Sequence, residues 1–283
     1  MTIVNANVQS NEYAGILAGV IQNSSVTNCK IIDSLLKVQN YGGGISSSNI
    51  EGRIDSCVVQ NLSIISAGVG GGIVSDNNNG SISNTSLDSV LLIAQSNVGG
   101  IAGTSLFGGI INNCTAHCVI VSENGDVGGV VGWAISTNII NCSTSGNIKS
   151  NGLGSAIGGV SGKNYNTTIF NCFSESSVSA TNFGNVGGIA GFAELCIIQN
   201  CYSFNTEINQ FEPFKSVFYE RSLFNYIFLK LEMKAGYIVG NAINTQIIDC
   251  YYWNHIKSNK LFLIKKGGNG ISITELSNIK HIL

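Results

Sequence analysis

Residues 125–148 read GDVGGVVGWAISTNIINCSTSGNI, and the fold turns on how often that pattern returns. Its first anchor is the glycine pair opened by Gly128, and its second is Cys142, fourteen residues on, with Ile139 three residues ahead of the cysteine. The glycine anchor recurs at Gly15, Gly43, Gly71, Gly99, Gly128, Gly158, Gly187 and Gly236, at intervals of 28, 28, 28, 29, 30, 29 and 49 residues. The second anchor recurs as Cys29, Cys57, Thr85, Cys114, Cys142, Cys172, Cys201 and Cys250. Three residues before it stand Val26, Ile54, Ile82, Ile111, Ile139, Ile169, Ile198 and Ile247, all β-branched. The residue just before the anchor is Asn in six copies, Ser56 in one and Asp249 in another. Self-similarity at a fixed period of this size is the mark of a repeat architecture.

Within each copy, apolar or alternating segments of about five residues lie between clusters of Gly, Asn and Ser, which reads as about three short strands per repeat. A unit this short cannot bury its faces alone, so successive copies stack, each strand pairing in parallel with its equivalent about 4.8 Å away. The expected fold is all-β: a parallel β-solenoid, or β-helix, of about eight coils of 28–30 residues, forming a rod of about 35–40 Å. Glycine suits the corners of such a coil, where the backbone needs positive φ or very close approach. The single proline fits as well, because an interior coil is paired on both sides and proline would remove a ladder donor.

Composition agrees and excludes other classes. Of the 283 residues, 44% are apolar and 11% are charged, with net charge −2, so the chain can bury a core and lacks the profile of disorder. Thirty-five glycines without a three-residue period, beside one proline, exclude collagen. With a pI near 5.9 and no basic patch, no nucleic-acid partner is expected. No apolar run reaches the roughly 20 residues a membrane-spanning helix needs. The start MTIVNANVQSNEY has no basic segment followed by an apolar one, so it does not read as a secretory signal.

The repeat register also divides the chain. Residues 1–13 read as a partial first coil or a cap, and part of a longer chain is one expectation for that end. Residues 14–209 form the repeat solenoid. Residues 210–234, QFEPFKSVFYERSLFNYIFLKLEMK, interrupt it, holding Pro213 and seven aromatics between Phe211 and Phe228. Phe214, Val217, Phe218, Phe224, Phe228 and Leu231 approximate a helical stripe, so a helix or hairpin against the solenoid wall is expected there, with a partner-binding patch as the alternative. Residues 235–255 are the last coil and 256–283 a C-terminal cap or tail. Charge is uneven along this plan: residues 1–209 carry 5 basic and 11 acidic side chains, and residues 210–283 carry 9 and 5.

The units at 125–148 and 184–208 resemble the GLUG motif, whose pattern is Val-Gly-Gly-Ile/Leu-x-Gly, a variable loop, then Ile-x-Asn-Cys-Tyr/Ser. Such repeats are known from bacterial filamentous-haemagglutinin-like adhesins and from regions flanking immunoglobulin A metallopeptidases. The resemblance covers about residues 13–255, and it implies a β-solenoid with an extracellular or cell-surface setting. Arrays of this kind often close with an aromatic-Trp-Asp segment, a glycine-rich turn and a Thr-x-Glu-Leu/Met segment. Tyr252-Trp253-Asn254, Gly267-Gly268-Asn269-Gly270 and Thr274-Glu275-Leu276 are similar, with Asn254 where the pattern has Asp.

Candidate chemistry is sparse. Stacked anchor cysteines are expected as an inward row of free thiols, with disulfides between coils disfavoured by parallel Cβ vectors. Cys114, His117 and Cys118 have metal-ligand chemistry, but on a strand His117 points away from both cysteines and no fourth ligand is evident nearby. Asp76, Asp88, Glu123, Asp126, Glu175 and Glu194 could supply acid-base pairs only if brought together, and they occupy different repeat positions. No HExxH metallopeptidase motif occurs, and Gly158–Asn164 lacks the spacing of a phosphate loop. No catalytic, cofactor or metal residue is assigned. The expected function is a non-catalytic repeat scaffold, adhesin-like or part of a surface protein, that spaces or presents surfaces to a protein or carbohydrate ligand. The alternatives are a β-helical enzyme acting on polysaccharide and an intracellular protein-interaction scaffold.

Overall fold

The computed structural model describes residues 1–205, 207–210, 234–236, 238–254, 260–267 and 270–276, and it contains strands and turns with no helix among those residues. The helix or hairpin expected within 210–234 lies outside them, apart from the terminal strand residues. Four strands, not three, make most repeats; in the copies anchored at Gly158 and Gly187 the last is broken in two, as Phe173–Ser174 with Ser177–Ala180 and Tyr202–Ser203 with Ile208–Gln210. In the third copy the four are Val69–Gly71, Val74–Asn78, Ser81–Ser83 and Ser86–Ala94. The extra strand arises because the chain turns between the glycine pair and the residues after it, splitting what reads in sequence as one apolar run. We call the four resulting sheets B, C, D and A in that chain order, and number the layers 1–8 by their anchor glycines.

Sheets B, C and D each hold eight strands, all parallel, so eight layers stack with seven interlayer steps. Register is strict. Gly71 lies opposite Gly43 and Gly99, and Ile82 opposite Ile54 and Ile111. Thr2–Val4 and Asn7–Ser10 add strands beside Lys30–Val38 of layer 1 in sheet A. At the other end Cys250–Asn254 pairs antiparallel with Lys260–Gly267, which pairs antiparallel with Gly270–Leu276. The parallel stack of sheet A thus closes in an antiparallel hairpin, formed by the segments that resemble a closing unit.

The core is a set of rows running along the rod. Ile45, Ile73, Ile101, Val130, Val160, Ile189 and Ile238, each following a glycine pair or its equivalent, form one buried row; Ile54, Ile82, Ile111, Ile139, Ile169 and Ile198 form another. In these two rows β-branched side chains stack on one another from layer to layer.

The glycines work through close approach. Of the two roles expected, positive φ belongs to three other glycines, Gly108, Gly146 and Gly154. At the anchors sheet B passes so near sheet C that a Cβ on Gly71 would overlap the Val74 carbonyl and one on Gly128 the Val131 carbonyl. The left-handed corners fall instead to Asn28, Ser56, Asn84, Asn113, Asn141, Asn171, Asn200 and Asp249, with φ between 47° and 54°. Asn tolerates that region better than other side chains with a Cβ, which explains the residue before each second anchor. These corners also bond along the rod: Asn113 Nδ2 donates to Asn84 Oδ1 at 2.7 Å, and Asn171 Nδ2 to Asn141 Oδ1 at 2.7 Å.

Candidate functional site

A strand alternates its side chains between core and water, so each outward position becomes a column along the rod, one residue per layer. The chemistry available to a ligand is whatever those columns carry. The second anchors point inward. Eight of the nine cysteines are buried and Cys29 is half-buried; all nine are free thiols. From Cys114 to Cys250 each anchor thiol donates to the backbone carbonyl two residues earlier, Cys142 Sγ to Ile140 O at 3.1 Å and Cys250 Sγ to Ile248 O at 3.3 Å. Burial pushes the Cys118 thiol up to about 12 and raises that of Cys172. A thiol held protonated is neither a nucleophile nor a metal ligand, which fits a packing role for Cys114, Cys142, Cys172 and Cys201, all raised in the same direction.

Strand alternation separates Cys114, His117 and Cys118 as read from sequence. Both thiols are buried, while His117 is exposed with Nδ1 2.9 Å from Ser145 Oγ, its register partner in the next layer. Among the described residues no group of three His, Cys, Asp or Glu side chains is arranged to hold a metal ion.

The acidic residues are divided among the four sheets and their turns. Hydrogen bonds from Ser83 and Asn84 hold the Asp55 carboxyl below its usual range, and Arg53 pairs with it at 3.3 Å. Asp76 accepts from Thr104 Oγ1 at 2.6 Å, and Glu123 from Asn151 at 3.2 Å. Asp126 differs: burial raises its pKa, although the Ala156 N–H, 2.8 Å from Oδ1, and the Lys163 ammonium favour its ionised form.

Sequence reading missed a polar row inside the rod. Asn49 Nδ2 donates to Asn77 Oδ1 at 2.9 Å, and Asn77 Nδ2 to Ser105 Oγ at 3.2 Å, all three fully buried. The signal was present at one repeat position, where Asn49, Asn77, Ser105 and Asn164 recur, but polar residues there resembled loop.

Two outward faces stand out as surfaces. On sheet A the columns Leu35–Ser63–Leu91–Val119 and Lys37–Ile65–Ile93–Val121 make an aliphatic strip, with Ile65 and Val119 each 41% exposed. Beside it runs an open groove of about 680 Å³, its walls including Gln9, Lys37, Gln39, Ile65, Ile93 and Glu123. On sheet C, Trp133, Lys163 and Phe192 follow one another in layers 5, 6 and 7 of one column. The Lys163 Nζ lies 5.9 Å from the centre of the Trp133 ring system, within cation–π range.

The family model described as the GLUG motif matches residues 123–149, which span the strands of layer 5 from sheet B to sheet A. No curated protein sequence matches the chain. Among solved structures, the chain is similar to a Bacteroides ovatus protein described as a "putative immunoglobulin A1 protease", at 21% identity and a TM-score of 0.54, over 85% of this chain and 66% of that one. At that identity the likeness is one of fold. The chain is a β-solenoid that carries the GLUG motif and repeats its register from layer to layer.

Proposed function

We propose that this chain is a non-catalytic scaffold, an adhesin-like or surface-protein segment whose outward columns bind or space a partner. The observation that carries the reading is the contrast between rows and columns. The row after the glycine pair and the isoleucine row of sheet D repeat with little change, while the outward column of sheet C reads Val20, Ser48, Asp76, Thr104, Trp133, Lys163, Phe192, Asn241. A frame that holds constant while its surface varies is what a presenting scaffold needs. Several acidic side chains are engaged in interlayer bonds that tie coils together, which supports a structural use for them.

The test is turnover. Purified chain incubated with xylan, mannan, alginate and polygalacturonate should release no new reducing ends above a heat-denatured control. Cleavage that disappears when a carboxylate such as Glu175 or Glu194 is replaced by its amide would overturn the reading in favour of a polysaccharide-acting enzyme.

A further inference from the structure

The aromatic residues on sheet C are confined to its upper layers and share one outward face. Trp133 and Phe192 are half-buried, in layers 5 and 7, and Lys163 is exposed between them in layer 6. The next outward column carries Ile135, Tyr165 and Glu194 in the same three layers, with Tyr165 44% exposed. Layers 1–4 of the first column hold Val20, Ser48, Asp76 and Thr104, with no ring. Lys163 is the one cation on the strands of sheet C.

We propose that this face binds a linear polysaccharide lying along the rod, its sugar rings resting on Trp133, Tyr165 and Phe192. The inference rests on the reading that outward columns are binding surfaces, and it names the ligand class. A pyranose ring has an apolar C–H face and a polar rim of hydroxyls, so it stacks on an aromatic ring while its hydroxyls stay hydrated. Trp and Tyr match it, each offering a broad apolar body with a polar edge. Spacing supplies the linear preference: Trp133 and Phe192 are two layers apart, about 10 Å along the axis, with Tyr165 between them in the adjoining column. A ligand that repeats along its own length meets this ladder at successive sites. Lys163, whose Nζ lies 5.9 Å from the centre of the Trp133 ring system, and Glu194 in the adjoining column are the charged groups of this face. A protein hot spot would instead call for an anchor side chain desolvated in a pocket, and this is a broad sheet face.

Affinity electrophoresis of the full chain in native gels containing xylan, mannan, alginate or polygalacturonate tests the proposal. At least one of the four should retard the chain. Trp133→Ala and Phe192→Ala should each weaken that retardation at least tenfold, as dissociation constants from the dependence on polysaccharide concentration. Trp133→Phe keeps a ring and should retain most of the binding, which separates loss of stacking from loss of fold. Tyr13→Ala removes a ring stacked on Tyr41 in sheet B and should bind like wild type. Lys163→Gln should weaken binding of alginate and polygalacturonate more than of xylan and mannan. No retardation by any of the four, retardation indifferent to Trp133→Ala and Phe192→Ala, or a Trp133-dependent complex with a protein in place of a glycan would overturn the proposal. Absence of binding refutes this site and leaves the non-catalytic scaffold standing; cleavage of a bound glycan refutes the scaffold and leaves the site.

Discussion

Ile197 and Ile198 are neighbours in one three-residue strand of sheet D, yet they sit in different environments. Ile198 is fully buried in a row where layers 2 to 7 all carry Ile, whereas Ile197 is 41% exposed in a column whose other members are Ser25, Arg53, Ser81, Ile110, Asn138, Thr168 and Gln246. The same residue type, on the same backbone, is held by stacking on one side and free to vary on the other. In a solenoid the inward position meets its own kind above and below, so a change in one layer leaves a misfit against two. The outward position meets water, and chemistry can change there layer by layer without disturbing the frame.

The hardest break is at the glycines that let sheets B and C touch. Gly71→Ala puts a methyl group against the Val74 carbonyl and 2.8 Å from the Gly103 nitrogen, and backbone on both sides cannot swing away as a side chain would. A loss of more than about 3 kcal/mol is expected, beyond the usual overpacking cost. Ile198→Ala should cost about 2–5 kcal/mol, as buried aliphatic truncations do, and Ile197→Ala under about 1 kcal/mol. Chemical denaturation of the three variants checks all three values, and comparable losses at 197 and 198 would contradict the division into rows and columns.

Inward rows were readable in sequence because stacking forces them to repeat. The glycine anchors, the β-branched row and the cysteine row each show as one dominant residue type at intervals of 28–30 residues outside the 49-residue step, and parallel pairing in register followed from them. Three things were less legible. The fourth strand was hidden because a single tight turn after the glycine pair leaves no polar marker. The buried row of Asn49, Asn77 and Ser105 was hidden because asparagine marks corners and interior ladders alike, and only coordinates tell which carbonyl or amide it meets. The sheet C platform was hidden because Trp133, Tyr165 and Phe192 come from different repeats at positions where no residue recurs. Columns carry no period, so the surface a ligand meets is what periodicity is blind to.

Asp126 lies between the two regimes, an acidic residue drawn partly out of water beside Lys163. Burial raises its folded-state pKa, so the native chain binds this proton more tightly than the unfolded chain does. Its contribution to stability is therefore full below the ordinary carboxylate range and is lost as pH rises through the folded-state value. At neutral pH Asp126→Asn removes the desolvated charge and keeps an acceptor for the Ala156 N–H. The variant should melt higher than wild type near pH 7, and the gap should close below about pH 4, where both forms are uncharged. A gap that widens on acidification would reverse the sign and contradict the assignment.

The smallest effect tests whether outward positions are as free as their variety suggests. At the corner between sheets C and D the backbone is left-handed at Asn23, Glu51, Asn79, Phe107, Ser136, Asn166, Leu195 and Asn244, with φ between 47° and 55°. Each side chain is unconstrained by the core, yet the backbone there disfavours Leu, whose Cβ crowds the following carbonyl, and tolerates Asn. Leu195, at φ 55° and 47% exposed, and Phe107, at φ 53° and 65% exposed, are the bulky apolar misfits of the set. Leu195→Asn should stabilise the chain by under about 1 kcal/mol, and Asn166→Leu should destabilise it by somewhat more, because Asn166 Nδ2 also donates to Ser136 Oγ at 3.1 Å. Matched thermal melts of the two variants measure the pair. If both were neutral, outward residues would answer to solvent alone; opposite signs would show that the coil's path selects residue type even where no packing does.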